Sequence, residues 1–343
     1  MRILVVNAGS SSLKVDLVNA GRVVASYEGL PAEPPPVDAV GHRIVHGGPD
    51  FAEPVLVDAG IERRLRHLAE LAPLHQVKSL RGLEAAQRLL PGVPHVACFD
   101  TSFHATLPPE AYTYALPRQW RERWGVRRYG FHGLSHAWAA RRAQELVPGS
   151  RRLVTCHLGA GASLAAVLDG RSIDTTMGFT PLDGLVMATR CGSVDPGLLL
   201  WIEEHEALPP HEVAHSLEYC SGLLGLADTA DMREILRRGD PDARLALEVY
   251  LHHLRRGIAA MTASLGGLDC VVFTGGVGEH AAQIREQAAG GLAYLGVRID
   301  PELNAGAEPD ADISTAGAAA RTLVVTSRED LEIAASVEQL LGS

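Results

Sequence analysis

One arrangement of residues occurs twice in this chain, at its start and again near residue 150, and it limits the folds open to the sequence. Residues 3–6 (Ile-Leu-Val-Val) form a short apolar run closed by Asn7-Ala8-Gly9 and a serine triplet, which reads as a buried strand followed by a turn. Residues 15–18 alternate weakly, Asn19-Ala20-Gly21 is a turn signal, and Val23-Val24 resumes strand character. The same order returns in residues 153–156, the small-residue loop 159–163, residues 164–168, the hairpin signal Asp169-Gly170 and residues 172–176. Leu17-Val18-Asn19-Ala20-Gly21-Arg22 resembles Val167-Leu168-Asp169-Gly170-Arg171. An internal repeat is the first thing to look for. The element order argues for duplication. Two hairpins can also share turn chemistry by chance, so the residues alone leave the matter open.

Elsewhere strands alternate with helices, as in an α/β fold. Apolar residues at i, i+3/i+4 predict helices over 79–90, 135–146, 243–265 and 330–341. Residues 93–99 read as a strand running into Asp100, and 270–273 as a strand running into Thr274-Gly275-Gly276-Val277-Gly278. Pro34-Pro35-Pro36 is a rigid connector. At 343 residues the chain exceeds one simple core and suggests two domains. A net charge of −10 argues against nucleic-acid or anionic-membrane partners, which need basic surface, but leaves room for a small anion met by arginines in a cleft. The five cysteines (Cys98, Cys156, Cys191, Cys220, Cys270) are odd in number and never in a CxxC pair, so neither a disulfide framework nor a zinc site is expected, and a reducing cytoplasm fits. No apolar run reaches membrane-span length, and the N-terminal run is too short for a signal peptide.

Three glycine/serine loops each follow a strand: residues 7–12, 159–163 and 275–278. Such loops turn backbone N–H groups toward phosphate, and glycine admits the ligand to the main chain. None is a P-loop or a complete GxGxxG fingerprint, and each alone reads as an ordinary turn. Three in one chain, the first followed by Lys14, point to nucleotide binding. Arg43 lies in Gly41-His42-Arg43-Ile44-Val45-His46-Gly47-Gly48, where an alternating strand would put Arg43 and Val45 on one side, and Arg190 lies in Ala188-Thr189-Arg190-Cys191-Gly192. The planar fork of arginine suits carboxylate and phosphate, though an average arginine makes only a surface ion pair. Asp100, at a strand end, is placed for metal or catalysis, or simply for capping a turn. His132, in Gly130-Phe131-His132-Gly133, could touch a transferring group; one of 15 histidines is more often structural.

Taken together, these blocks resemble the acetate kinase family. Asn7-Ala8-Gly9-Ser10-Ser11-Ser12-Leu13-Lys14 is similar to its opening signature. Residues 41–48, Phe99-Asp100-Thr101-Ser102-Phe103-His104, residues 129–136, 156–163, Met177-Gly178-Phe179-Thr180-Pro181-Leu182-Asp183-Gly184 and 273–279 resemble further family blocks in order. The resemblance implies two duplicated RNase H-like (actin-like ATPase) α/β domains with the active site in the cleft between them: residues 1–148 plus 328–343, and 149–327. It implies reversible in-line transfer of the ATP γ-phosphoryl group to a short carboxylate, with Mg²⁺ (Mn²⁺ as an alternative), in a cytoplasmic homodimer.

Residue by residue, Arg43 and Arg190 resemble the pair that holds the carboxylate and the transferring phosphoryl group. His132 resembles the transition-state stabiliser and Asp100 the essential carboxylate. Asn7 and Glu329 resemble the magnesium positions. Ser10, Ser12 and Lys14 resemble the first phosphate loop. His157, Leu158, Gly159, Ala160, Gly161, then Asp231, Met232, Arg233, then Gly275, Gly276, Val277, Gly278, Glu279 resemble the nucleotide segments. Val45, Leu74, Phe131 and Pro181 resemble the acyl pocket. The chain departs from the family pattern at Ala160, where asparagine is usual, at His280, and at Gln76-Val77. It is also shorter by some tens of residues between Tyr27 and Arg43, so a peripheral flap of the first domain is expected to be missing. Acetate is the expected acceptor. Propionate or butyrate, pyrophosphate as donor, and a catalytically weak nucleotide-binding regulator on the same fold are the alternatives.

Overall fold

The computed structural model describes residues 1–8, 13–68 and 73–342, without the side chains of 73–75. It contains two six-stranded sheets. The first is built from β1 (Arg2–Ala8), β2 (Leu13–Asn19), β3 (Arg22–Glu28), β4 (Ala39–Ile44), β5 (Val55–Leu56) and β6 (His95–Phe99), in the order β3-β2-β1-β4-β6-β5. The second is built from β7 (Arg152–Leu158), β8 (Ala162–Leu168), β9 (Arg171–Thr175), β10 (Cys270–Thr274), β11 (Ala311–Asp312) and β12 (Arg321–Val324), in the order β11-β12-β10-β7-β8-β9. The two orders match strand for strand. Each has an antiparallel three-strand meander, then two parallel strands, then a short antiparallel edge.

The likeness reaches single residues. The turns at Ala20-Gly21 and Asp169-Gly170 both have two successive positive φ angles (50° and 70°; 50° and 79°), the type I′ signature that matches strand twist. Both meanders shift register at the same place, after Leu17 and after Ala166. The repeat left open by the sequence is a duplication of topology.

Contacts divide the chain into two compact units: Met1–Ala105, Phe131–Trp138 and Arg328–Ser343; and Thr106–Gly130 with Ala139–Ser327. Residues 106–130 and 139–148, which the resemblance groups with the first domain, cluster with the second unit. In the first unit the two faces of β1 are read off by alternation. Ile3 and Val5 pack with Ile333 and Val337 of the helix Glu329–Gly342, while Leu4 and Val6 pack with Ala86 of the helix Pro73–Leu89. In the second unit the helix Pro241–Leu265 lies on β7 and β8.

The predicted strands and the four predicted helices are present, each helix starting one to six residues earlier than its periodicity suggested. One expectation fails. β4 is not an alternating strand: all its residues but Arg43 are buried, as in a central parallel strand, and it ends at Ile44, so Val45 lies beyond it. Residues 29–38 join β3 to β4 with no intervening element. No helix among the described residues is long and apolar enough to cross a membrane.

Candidate active site

The first unit gathers four polar side chains, three of them at strand ends. Asn7 sits near the end of β1, Arg43 near the end of β4, Asp100 just past β6, and Glu329 in the first turn of the terminal helix. Parallel neighbouring strands end together, which is why such sites form at their carboxyl ends. Arg43 Nε donates to Asp100 Oδ1 at 2.9 Å and Nη2 to Oδ2 at 2.7 Å, a bidentate pair. Its Nη1 donates to Asn7 Oδ1 at 3.3 Å and lies 3.8 Å from Glu329 Oε2. Asn7 Nδ2 donates to the same Glu329 oxygen at 2.8 Å. Asp100 is 1% exposed.

Burial pushes the Asp100 carboxyl up against the pull of Arg43, and Glu329 adds to the rise. Burial alone would lower the Arg43 guanidinium, but Asp100 and Glu329 outweigh it and the net direction is up. The bidentate geometry is that of an ionised pair. One guanidinium and two carboxylates thus stand together in one cluster. Lys14, exposed on β2, faces Asn7 in register.

His132 is tied to this cluster through its backbone. It has a left-handed φ of 55°, a conformation that costs a non-glycine residue about 1–2 kcal/mol. Its N–H helps hold the Asp100 carboxylate, and the next N–H, from Gly133, donates to the Asp100 carbonyl at 2.8 Å. A side chain at Gly133 would run into that carbonyl. Phe131 is 1% exposed and meets His46 edge-on at 5.3 Å. Val45 is also buried.

The second unit holds a cavity of about 620 Å³. Gly159 and Ala160 follow β7 on one side of it, Gly276 and Val277 follow β10 on another, and Asp231-Met232-Arg233 open a short helix at its rim. Asp231 caps that helix by accepting the Arg233 N–H, and the Arg233 side chain holds the carboxyl down to about 2. The lining is mostly apolar, which suits a flat heterocycle with polar groups at the mouth. Gly275 has φ 77° and no room for a side chain against the Leu158 backbone. Its N–H and that of Ser327 both donate to Glu279 Oε1, at 3.0 and 2.9 Å. Glu279 therefore clamps the loop. Behind it, buried Arg285 donates to the carbonyls of Gly278 and Glu279 and to Asn304.

Arg190, also in the second unit, is 9% exposed. Among the described residues its hydrogen bond is from Nη1 to the Pro181 carbonyl at 2.8 Å, and no carboxylate reaches ion-pair distance. Burial lowers the guanidinium, with Glu218 and Tyr219 opposing. A buried cation so placed is open to an anion.

The structure thus brings together Asn7, Arg43, Asp100 and Glu329, with His132 at their edge. It joins Arg190 to Pro181, and it sets Gly159, Ala160, Asp231, Met232, Arg233, Gly276 and Val277 around one cavity. His157 lies on β7 at the place Asn7 holds on β1, and Leu158, Gly161, Gly275, Gly278 and Glu279 shape the loops. Ser10, Ser12 and the Leu74 side chain lie outside the described residues. Sequence reasoning missed Ala188, Leu223, Ala230, Leu236, Tyr250 and Ala281, all on the cavity wall. All but Tyr250 are apolar and carry no polar signature. His280, flagged only as a departure, lines it too. Among the described residues no cluster of three or more His, Cys, Asp or Glu is arranged around a metal position.

The sequence model of the acetokinase family matches residues 24–335. The chain is 44% identical over 308 residues to an acetate kinase of Protochlamydia amoebophila, spanning 89% of this chain and 78% of that protein. Among solved structures, a propionate kinase from Francisella tularensis superposes with a TM-score of 0.90 at 34% identity, covering 98% of both chains. An acetate kinase from Porphyromonas gingivalis does so with a TM-score of 0.90 at 33% identity, covering 99% of both.

Proposed function

The chain belongs to the acetokinase family, and on that premise we propose that it transfers the terminal phosphoryl group of ATP to acetate, giving acetyl phosphate and ADP. A carboxylate oxygen forms the new bond to phosphorus as the bond from phosphorus to the ADP oxygen breaks, in line and reversibly. Both reactants are anions, so the protein's task is to neutralise and align them. The structural observation that carries this reading is Arg190, a buried guanidinium with no carboxylate in reach.

In this reading Arg190 meets the transferring phosphoryl group, and His132 donates a hydrogen bond to it. Arg43 orients the acceptor carboxylate, and Asp100 acts by fixing the Arg43 fork. The apolar cavity takes the base, which favours a nucleoside donor over pyrophosphate, and Lys14 with Ser10 and Ser12 attends the phosphates. The donors near Arg43 fit magnesium: they are oxygens, and they are few. That ion takes one or two protein oxygens and fills its shell with phosphate and water. Asn7 and Glu329 would hold it, and bound there it would screen phosphate charge. Val45 and Phe131, both buried in the first unit, bound the acyl group in this reading. Each extra methylene gains only about 1 kcal/mol in such a pocket, so propionate is the second substrate. We infer a homodimer as well: the helix Pro196–His205 buries none of its residues and exposes Leu198, Leu200 and Trp201. Light scattering tests that assembly. Free thiols at all five cysteines suit a reducing cytoplasm.

Acyl phosphate trapped with hydroxylamine, from acetate, propionate and butyrate with ATP·Mg and with pyrophosphate, tests the assignment. Fast product from acetate with ATP is expected. Arg43→Ala should raise the carboxylate KM, and Arg190→Ala and His132→Ala should lower kcat about 100-fold or more. Folded, ATP-binding protein that makes no product from any pair would move the reading to a regulatory nucleotide binder.

A further inference from the structure

Arg190 sits on a stretch of backbone with an unusual degree of support. Residues 187–191 make no regular strand or helix, yet seven of their ten main-chain N–H and C=O groups are hydrogen-bonded to backbone. Within the stretch, Met187 N–H donates to the Arg190 carbonyl at 3.1 Å. On one side, Ala188 N–H donates to the carbonyl of Ala160, in the loop that lines the nucleotide cavity, at 3.1 Å. On the other, residues 217–224 act as a strap. Cys191 N–H donates to the Leu217 carbonyl, Thr189 Oγ1 to the Glu218 carbonyl, and in return Ser221, Leu223 and Leu224 N–H groups donate to the carbonyls of Thr189, Met187 and Ala188. These five bonds run from 2.8 to 3.2 Å.

The strap can lie this close because of Gly222. Its φ is 63°, a region that disfavours any side chain. A Cβ there would press on the Met187 carbonyl oxygen and stand 2.7 Å from the carbonyl oxygen of Arg190 and 3.0 Å from its nitrogen. The obstructing atoms are backbone, the nearest from Met187 and the other two from Arg190 itself. The Arg190 side chain has little else to fix it, since its one hydrogen bond among the described residues goes to Pro181.

We propose that Gly222, through the strap 217–224, is the positioning residue for Arg190 in phosphoryl transfer. The proposal rests on the reading that Arg190 acts on the transferring group. It adds that a glycine touching neither substrate nor nucleotide sets where that guanidinium stands. The same backbone reaches Ala160, so the cavity wall and Arg190 share one hydrogen-bonded support.

A double-mutant cycle tests it. Gly222→Ala is expected to lower kcat at least 10-fold while the carboxylate KM changes by less than 3-fold, because the fault is a misplaced transition-state contact. In an Arg190→Ala background the same substitution should have almost no further effect on kcat. Thr189→Val, which removes one tie and keeps the shape, is the milder probe and is expected to lower kcat 2- to 5-fold with the same loss of effect when Arg190 is absent. A purely structural role would lower kcat by the same factor in both backgrounds, in step with the fraction of folded protein, and that result overturns the proposal. If Gly222→Ala does not fold, the Thr189→Val cycle decides by the same criterion. Unchanged turnover in Arg190→Ala alone would instead bring down the role given to Arg190.

Discussion

A methyl group added at Gly41 tests how Glu329 is held. Gly41 lies on β4 under the terminal helix, and a Cβ there would stand 2.6 Å from Ile333 Cγ2 and 2.9 Å from Val337 Cγ2. Carbon atoms rest about 3.5–4.0 Å apart, so the helix must give by about 1 Å. Ile333 is one turn from Glu329 on the same helix. Passed along that turn, the shift would stretch the 2.8 Å bond between Asn7 Nδ2 and Glu329 Oε2 beyond hydrogen-bond range. Overpacking of this kind costs about 1–3 kcal/mol, so Gly41→Ala should lower Tm measurably. It should also raise the magnesium concentration needed for half-maximal turnover, because one of the two proposed ligands loses its partner. Adding Val337→Ala, which removes one of the two obstructing methyls, should recover part of the magnesium dependence. Acyl phosphate formation titrated with magnesium, beside thermal unfolding, reads both effects. Unchanged magnesium dependence in a protein whose Tm has dropped would refute the claim that this helix seats Glu329.

Two further outcomes follow from the first unit. His42 Nε2 and His95 Nδ1 are 2.9 Å apart, and His95 Nε2 meets the Leu90 carbonyl. Burial, and for His42 also the neighbouring ring, holds both below the ordinary 6.5. The rings stay neutral when folded, whereas the unfolded chain takes up protons as pH falls through about 6.5. Stability from this pair is therefore whole above that pH and lost below it, at up to about 1.4 kcal/mol per pH unit for each ring. Urea unfolding from about pH 8 to about pH 5.5 measures the slope, and an equal slope in a His42→Leu/His95→Leu protein would count against it. In the first hairpin, Ala20→Asn should raise stability by about 1 kcal/mol, since asparagine tolerates the left-handed φ that alanine holds there; calorimetry checks the sign.

Much of the fold was legible because its signals are local. An apolar run ended by glycine and serine is a buried strand and turn whatever surrounds it, and β1, β7 and β10 stand where such runs were read. The turns at Asn19-Ala20-Gly21 and Asp169-Gly170 both announced themselves in the sequence. The strand through Gly41 was misread as alternating. The helices Pro73–Leu89 and Glu329–Gly342 cover its two faces, and nothing in residues 39–44 reports them. The candidate site divides the same way. Arg43 and Arg190 drew notice as arginines flanked by glycine, and Asp100 as a carboxylate at a strand end. The apolar part of the cavity wall did not, because Ala188, Leu223 and Ala230 look like any apolar residue.

The sequence by itself determined the chemistry on offer: guanidiniums and carboxylates at strand ends, phosphate-type loops, and an acidic chain unsuited to polyanions. It also determined membership of a family, through ordered blocks whose residue types are hard to assemble by accident. Tertiary structure decided which of those groups act together. Arg43 is clasped by Asp100 and Arg190 is left without a carboxylate, a difference set by residues far apart in the chain: 57 positions separate the first pair, and the strap that supports Arg190 comes from another loop. Hydrogen bonds and buried charge depend on position in space, and position is a property of the packed chain.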